Sequence, residues 1–180
     1  LGAVRERSGN RSQYAVPSGV YRTDDDRWVS LACSTQSVFE RMAEAMDRAD
    51  LIDDARFRTN ADRVTNADAI EEIVTAWFAA NEFPNVSQLL SEKGVAFSLV
   101  FTAKDAFEDP HYAARENIVA VEDSELGTIR MQGIVPKLRD APGAVRRAGP
   151  ALGQHNTEVY EELLGLSPDE ITSLKEKGIV

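Results

Sequence analysis

The stretch Gly19-Val20-Tyr21-Arg22-Thr23, followed by Asp24-Asp25-Asp26 and then by Arg27-Trp28-Val29-Ser30-Leu31-Ala32, decides the fold class. Its two arms are rich in β-branched and aromatic residues, and the acidic residues between them are typical of a turn. The stretch therefore predicts an antiparallel β-hairpin. Three adjacent carboxylates in a tight turn point in different directions, and no distant glutamate completes a calcium loop, so we expect no metal there.

Helical patterns follow this hairpin. The clearest is an apolar stripe at the spacing of one helix face, formed by Ile70, Ile73, Val74, Trp77 and Phe78. Thr65-Asn66-Ala67-Asp68 provides a capping pattern before this helix. A shorter apolar stripe covers residues 38–46, and Ser34 is a candidate cap for that helix.

Later segments add strands. The nearly all-apolar residues 95–101 predict a buried strand, and residues 118–121 and 128–135 predict a second hairpin. Antiparallel strands together with helices predict an α+β fold.

The C-terminal part has its own organisation. Residues 136–149 are rich in proline and glycine and are predicted to form a linker. Two helices are predicted after it, one over residues 156–164 and one that starts at Ser167-Pro168-Asp169-Glu170. Two short helices cannot bury their apolar faces alone, so we expect both to dock on another part of the protein. Those faces comprise Val159, Leu163, Leu164, Ile171 and Leu174.

Composition excludes several classes of protein. The 180 residues carry a net charge of −10, which argues against broad contact with nucleic acid phosphates. No apolar run is long enough to cross a membrane, and the first residues do not resemble a signal peptide. The single cysteine, Cys33, cannot form an internal disulfide, and its apolar surroundings indicate a buried, unreactive thiol. We expect a cytoplasmic protein.

No familiar catalytic motif is present. The sequence lacks a G-x-S-x-G turn, an H-E-x-x-H pair and a glycine-rich phosphate loop. Its two histidines, His111 and His155, each stand near the start of a predicted helix, where neither has an evident partner for acid–base work. The residues alone therefore predict an α+β domain without a metal site and without an assigned reaction.

A series of short motifs nevertheless occurs in a recognisable order. Val16 to Asp24 with Arg27 to Ala32 resembles the start of the small domain in class III CoA-transferases. Further motifs follow in the order that this family has, and together they cover nearly the whole chain. They are Arg56-Phe57-Arg58-Thr59-Asn60 with Arg63 and Asn66, Gly94-Val95-Ala96, Asp109-Pro110-His111 with Arg115, Pro136-Lys137-Leu138, and Ala148 to Val159.

The resemblance implies a reaction. Members of the family move CoA between carboxylic acids, through acyl anhydride and thioester intermediates on an aspartate. That aspartate belongs to a Rossmann-like large domain, so the resemblance implies no catalytic residue in this chain. The implied partners are an acyl-CoA and a carboxylic acid, with the CoA thioester as substrate and no cofactor. Two subunits would form an interlocked homodimer.

The resemblance also implies a domain organisation. Residues 1–16 would form a connector from a missing large domain, and residues 17–135 the small α+β domain. Residues 136–180 would form a return linker and two helices that pack on that large domain.

Two departures from the family pattern bear on function. In the racemase branch a glutamate follows the second strand, whereas Cys33-Ser34-Thr35-Gln36 has no carboxylate, which disfavours racemisation of 2-methylacyl-CoA. In the formyl-CoA branch a run of glycines precedes the first strand, whereas Arg7-Ser8-Gly9-Asn10 has one glycine. Gly9 and Asn10 are the candidates for proximity to substrate, with an ordinary turn as the alternative. A racemase and a noncatalytic dimerisation module stay open as alternative functions.

Overall fold

The computed structural model describes residues 2, 4, 7 and 9–180. The chain divides into two compact units, residues 1–101 and residues 102–180. Both units combine helices with antiparallel strands, so the predicted α+β fold is confirmed. Within the described residues, no helix is both long enough and apolar enough to cross a membrane.

The first unit contains a three-stranded sheet and five helices among its described residues. Its elements are β1 (Ser18–Arg22), β2 (Trp28–Ala32), α1 (Gln36–Ala45), α2 (Asp50–Asp53), α3 (Asn60–Thr65), α4 (Ala67–Ala79), α5 (Phe83–Glu92) and β3 (Phe97–Leu99). The strand order is β1-β2-β3 and both pairings are antiparallel, so the predicted hairpin and the third strand are present. The prediction that the third strand is buried is wrong, because Phe97 and Leu99 are half-buried and Ser98 is exposed. Two helices, α2 and α3, were not predicted.

The core of this unit lies between the sheet and the helices. Along β2, Val29 and Leu31 are buried while the residues between and beside them are exposed, as a half-buried strand requires. Phe39 from α1 and Phe78 from α4 belong to the same buried cluster as these two residues. The apolar stripes that predicted the helices are therefore core surfaces.

The helix caps differ in detail from the sequence prediction. Thr35, not Ser34, caps α1, because its side chain accepts the Val38 N–H. Asn66 precedes α4 but makes no side-chain capping bond. The complete capping box lies one helix earlier, where the Thr59 and Asp62 side chains bond reciprocally to each other's backbone N–H groups at the start of α3.

The acidic turn of the first hairpin contacts a distant helix. The Asp25 carboxylate accepts the Thr23 hydroxyl at 2.6 Å and the Phe83 N–H at 2.8 Å. Phe83 is the first residue of α5, whose own N-cap residue, Glu82, makes no side-chain capping bond. Asp25 therefore caps α5 from the hairpin. The Thr23 hydroxyl, with help from the Phe83 N–H, holds the pKa of Asp25 below its usual range.

The second unit contains α6 (Ala103–Glu108), α7 (Pro110–Ala114), β4 (Ile118–Asp123), β5 (Gly127–Gln132), a π-helix (Thr157–Leu163) and α8 (Pro168–Glu176). β4 and β5 form the second predicted hairpin, with Ile118 opposite Gln132. Ser167 and Glu170 form the predicted capping box of α8. The segment expected to be an ordinary helix before α8 is a π-helix.

The π-helix and α8, which we call the tail, bury their apolar residues to different extents. Ile171 is only 6% exposed, whereas Leu163 and Leu164 are 73% and 64% exposed. The domain boundaries predicted at residues 16/17 and 135/136 stay a prediction.

Replacement of Asp25 by alanine is expected to lower the free energy of unfolding by about 1 kcal/mol, the usual worth of a helix cap. Asp24→Ala is the matched control, because Asp24 donates its backbone N–H to the Asn81 carbonyl, and alanine retains this group. Urea denaturation of both variants measures the difference. Equal stability of the two would contradict the capping role.

The Asp25→Ala effect should also depend on pH. Because the folded-state pKa of Asp25 is depressed below 3.8, its contribution is fully present above the pKa of the unfolded chain, about 3.9. That contribution is lost as the pH falls through the folded-state pKa. The difference between wild type and Asp25→Ala, measured by urea denaturation, should therefore be constant near neutrality and shrink below about pH 4. A difference that grows on acidification would contradict this account.

Candidate functional site

Gly9 and Asn10, the residues predicted to lie near substrate, form part of an exposed turn ahead of β1. Gly9 has a φ of 64°, in the left-handed region that favours glycine, and open space surrounds the position of an added Cβ. The chain then continues to β1 through residues 9–16, which we call the leading segment.

The first half of the leading segment is bound by ionic and backbone contacts. Arg11 Nη1 lies 2.6 Å from Asp68 Oδ1 on α4. The Ser12 N–H donates to the Ser18 carbonyl, at the start of β1, over 3.1 Å. These contacts attach the segment to two elements of the first unit.

Asn10 passes closely over β1. A Cβ added to Gly19 would lie 3.0 Å from the Asn10 carbonyl oxygen and 3.5 Å from the Tyr21 hydroxyl. The space around Gly19 is therefore limited by the Asn10 carbonyl oxygen and by the Tyr21 hydroxyl.

Tyr21 is itself firmly held. Its ring stacks on Phe78 with 4.9 Å between centroids, and its hydroxyl donates to Glu71 Oε2 at 2.8 Å. Tyr21 and Glu71 are only 5% and 3% exposed. Burial and the adjacent Glu71 carboxylate raise the pKa of Tyr21 far above its usual range. The other Glu71 oxygen, Oε1, is buried and has no hydrogen-bond partner among the described residues.

The second half of the leading segment is bound by α3. The Asn60 side chain accepts the Val16 N–H at 3.2 Å and donates to the Tyr14 carbonyl at 2.6 Å. Arg63 Nε donates to the Val16 carbonyl at 2.7 Å. Two polar side chains of one short helix therefore bind both backbone groups of Val16.

Arg63 is a fully buried cation. Its Nη1 donates to the Phe57 carbonyl and to Gln36 Oε1, each at 2.8 Å, and its guanidinium lies 4.0 Å from the centroid of the Phe39 ring. Within the part of the chain that the structure describes, it forms no salt bridge and its Nη2 has no hydrogen-bond partner. Burial lowers the pKa of Arg63 from its usual range.

Arg63 also joins the Cys33 to Gln36 stretch, where the sequence departs from the family pattern, to the leading segment. Gln36 ends the first of these, and Val16 ends the second. Both bind the same guanidinium. The sequence showed Asn60 and Arg63 only as motif residues. In the sequence, the signal of a structural role was that both are polar residues in a short segment without a clear apolar stripe.

Cys33 is buried, and its Sγ lies 3.2 Å from Met42 Sδ. Burial raises the pKa of the Cys33 thiol to about 12. A thiol that stays protonated at neutral pH is a poor nucleophile. The prediction of an unreactive cysteine is therefore supported by its environment.

The two histidines lie in the second unit, at helix starts as predicted. His111 follows Pro110 in the first turn of α7, whose N-cap Asp109 accepts the Tyr112 N–H at 2.9 Å. His155 Nδ1 lies 3.0 Å from Glu158 Oε2, and its buried Nε2 has no partner among the described residues. A carboxylate therefore orients His155, but no described hydroxyl or thiol is bonded to it as a nucleophile would be.

The described side chains also contain no group of three or more His, Cys, Asp or Glu residues that could hold a metal ion. The polar groups that meet in the first unit bind one another and the backbone. These polar groups therefore hold the leading segment in place, with Gly9 and Asn10 at its exposed end.

The sequence matches a known family over most of its length. Residues 1–156 match the sequence profile of CoA-transferase family III. The chain belongs to this family, as its motifs predicted.

Several characterised relatives are CoA-transferases. The chain is 37% identical over 179 residues to the succinyl-CoA–D-citramalate CoA-transferase of Chloroflexus aurantiacus, an alignment that covers 99% of this chain and 44% of that protein. It is 35% identical over 180 residues to the alpha subunit of the succinyl-CoA–L-malate CoA-transferase from the same organism, covering 100% of this chain and 42% of the subunit. The chain thus spans less than half the length of these relatives.

Solved structures share the fold. A CAIB/BAIF family protein from Brucella suis superposes with a TM-score of 0.75 at 22% sequence identity, covering 90% of this chain and 41% of that chain. Rv3272 from Mycobacterium tuberculosis superposes with a TM-score of 0.66 at 22% identity, covering 80% of this chain and 40% of that chain.

Arg63→Met is expected to destabilise the first unit by about 3 kcal/mol, because it leaves the Val16 and Phe57 carbonyls without their buried donor. Arg58→Ala is the control, since Arg58 is exposed and makes one long bond, of 3.4 Å, to a backbone carbonyl. Urea denaturation followed by circular dichroism compares the two. If Arg63→Met were as stable as Arg58→Ala, the guanidinium would not have the structural role described.

Proposed function

We propose that this chain is the C-terminal part of an acyl-CoA:carboxylate CoA-transferase. The observation that carries the proposal is the 37% identity to the D-citramalate CoA-transferase, which extends over 99% of the chain. The CoA thioester would be a substrate and not a resident cofactor. A free carboxylic acid would be the second substrate.

The chemistry would proceed on an aspartate outside this chain, as the family resemblance implies. Its carboxylate would attack the donor thioester and expel CoA thiolate, which leaves an acyl anhydride. The CoA thiolate would attack the aspartyl carbonyl of that anhydride, which gives an aspartyl-CoA thioester and releases the donor acid. The acceptor carboxylate would displace CoA from this thioester to form a second anhydride, and attack of CoA on its acceptor carbonyl would give the new acyl-CoA and free the aspartate. Covalent catalysis of this kind divides one difficult transfer into easier steps. The present chain would contribute no reacting group, and Gly9 and Asn10 would lie near the substrate.

The relatives also favour a particular substrate class. Their names specify succinyl-CoA as donor and D-citramalate or L-malate as acceptor. We therefore propose succinyl-CoA as the donor and a hydroxylated dicarboxylic acid as the acceptor.

The assembly would be an interlocked dimer, and the alpha and beta subunits among the relatives favour assembly from more than one chain. Residues 1–16 and 136–180 would connect to a large domain, and residues 17–135 would form the small domain. The exposed Leu163 and Leu164 support this arrangement, because large apolar side chains exposed together mark contact surfaces.

Two alternatives have less support. A 2-methylacyl-CoA racemase of the same family would need a carboxylate after β2, where Thr35 instead caps α1 and Gln36 binds Arg63. A noncatalytic dimerisation module would be indicated if the intact protein moved no CoA.

The intact protein is expected to transfer CoA from succinyl-CoA to D-citramalate or L-malate, with the new thioester detected by chromatography and mass spectrometry. An acceptor without a hydroxyl group, such as acetate, is the control substrate. Exchange of CoA with none of a broad panel of carboxylates would refute the proposed function. Racemisation without transfer would favour the racemase alternative.

The 180-residue chain by itself is expected to be inert. Without the nucleophilic aspartate no anhydride can form, so turnover should stay far below the rates of roughly 1 s⁻¹ or more that are typical of enzymes. Incubation of the purified chain with succinyl-CoA and both acceptors measures this. Enzyme-like exchange by the isolated chain would show that the nucleophile lies within it.

The tail of the isolated chain should associate with a second copy, because its exposed apolar residues lose their proposed contact surface. Sedimentation velocity of the full chain is compared with that of a version ending at Lys137. The longer chain should sediment as a larger species. If both versions are monomeric and equally stable, the tail does not form this contact.

A further inference from the structure

We propose that the second unit contains a binding site for a carboxylic acid with an apolar body, in which the Arg130 guanidinium receives the carboxylate. The site is a groove lined by residues of α6, α7 and the β4–β5 hairpin, with Arg130 beside it. The proposal does not rest on the CoA transfer proposed above, because it concerns residues 103–135 alone and its test measures binding and not turnover.

The groove is apolar and open to solvent. It has a volume of about 510 Å³, which lies within the size range of small-molecule sites. Its lining includes Phe107 from α6, Ile118 from β4 and Met131 from β5. The Phe107 side chain is 43% exposed, although phenylalanine is among the residue types most often buried. An apolar lining of this kind favours a ligand with a hydrocarbon chain or ring.

Two side-chain amides, those of Asn117 and Gln132, also line the groove. Among the described residues, neither amide has a hydrogen-bond partner. Gln132 lies opposite Ile118 in the hairpin, so a polar and an apolar side chain stand next to each other on one face. A few free polar groups within an apolar lining are what orients a ligand in a small-molecule site.

Arg130 adds a positive charge to this surface. It lies two residues before Gln132 on β5, so the two side chains share one face of the hairpin. Its guanidinium lies 5.5 Å from the centroid of the Phe107 ring, which itself lines the groove. The contact with the aromatic face places the cation beside the groove, and the guanidinium carries five N–H donors.

The donors of Arg130 are not used within the chain. In the part of the protein that the structure describes, its guanidinium forms no salt bridge and no hydrogen bond. Glu122 lies on the same face of the hairpin, but its carboxylate accepts the Thr128 hydroxyl at 2.6 Å. Acidic residues outnumber basic ones by 30 to 20 in this chain, so the missing partner does not reflect a shortage of acids. The charge is available to an anion from outside.

A second cleft in the same unit provides a contrast. It has a volume of about 230 Å³ and is lined by Val119 and Ile134 together with Glu116 and Lys137. There Lys137 Nζ lies 2.6 Å from Glu116 Oε2, so the cation is already neutralised within the chain. Of these two clefts, the larger one combines an apolar lining with an unpaired cation.

These features together define the class of ligand. The planar guanidinium of Arg130 matches the geometry of a carboxylate, with which it can form two parallel hydrogen bonds. A neutral apolar compound would leave this charge unused, and a small polar acid would leave the Phe107 ring exposed. A carboxylic acid with an apolar chain or ring uses both.

The test uses the purified chain and the fluorescent probe anilinonaphthalenesulfonate, an apolar ring system with one negative charge. Phenylnaphthylamine, which has the same rings and no charge, is the matched probe. Arg130→Gln is expected to weaken binding of the charged probe by about fivefold, the upper range for an exposed ion pair, and to leave binding of the neutral probe unchanged. Octanoate is expected to displace the charged probe at a concentration about fivefold lower than octanol does.

Arg146→Gln is the matched control, because Arg146 is exposed and does not line the groove. It should leave the affinity for both probes unchanged. If the two arginine variants weaken the charged probe equally, the effect comes from net charge, and the proposal is overturned.

Ala106→Leu tests the location of the site, because Ala106 lines the groove and a larger side chain there would overlap a bound ring. Binding of both probes should weaken by about fivefold or more. Unchanged affinities would place the probes elsewhere, such as on the exposed leucines of the tail, and would overturn the proposal.

The remaining outcomes are also decisive. Circular dichroism shows whether each variant folds, and if Arg130→Gln does not, the comparison of octanoate with octanol decides. Equal displacement by the two compounds overturns the proposal. If Ala106→Leu converts a larger species into a monomer in sedimentation velocity, the groove holds a second copy of this chain and not a carboxylic acid. None of these results bears on the proposed CoA transfer, which is tested by its own assay.

Discussion

The buried guanidinium of Arg63 is the interaction on which the first unit most depends. Burial of an isolated cation is unfavourable unless its donors are bonded, and this one uses Nε and Nη1 on three oxygen atoms and lies on the face of Phe39. Those oxygens belong to the leading segment, to the chain before α3 and to the start of α1. One side chain thus fixes the mutual positions of three segments that no common sheet or helix connects.

Local signals predicted most of the fold, because the hairpins, α4 and the capping box of α8 are encoded within short stretches. Helices α2 and α3 were missed since they contain only four and six residues, too few for a full apolar stripe. α3 is held by its capping box and by contacts to residues more than forty positions away, such as the bond from Arg63 to Val16. The π-helix was also missed, because apolar spacing over seven residues does not distinguish it from an α-helix.

Much less of the candidate site could be predicted. Gly9 and Asn10 came from the family resemblance, and nothing in their own residue types indicates what holds them. Gly19 looks like an ordinary first residue of a strand, and only the folded chain shows that the Asn10 carbonyl lies over it. Tyr21 and Glu71 are fifty positions apart, so their hydrogen bond has no signature in the spacing of either residue. Such pairs are set by tertiary packing, which periodicity does not describe.

Arg63, Glu71 and Cys33 interact with other groups inside the first unit, and this limits what the chain can contribute to a reaction. The Arg63 guanidinium binds backbone and amide oxygens, one Glu71 oxygen accepts from Tyr21, and the Cys33 thiol is buried beside a methionine. None of the three is available as a nucleophile or a general base. What the first unit presents outward at the leading segment is a short exposed turn whose other end is rigidly bound. A surface of this kind can act on a reaction by setting distances to the reacting groups, where small displacements have large effects on rate.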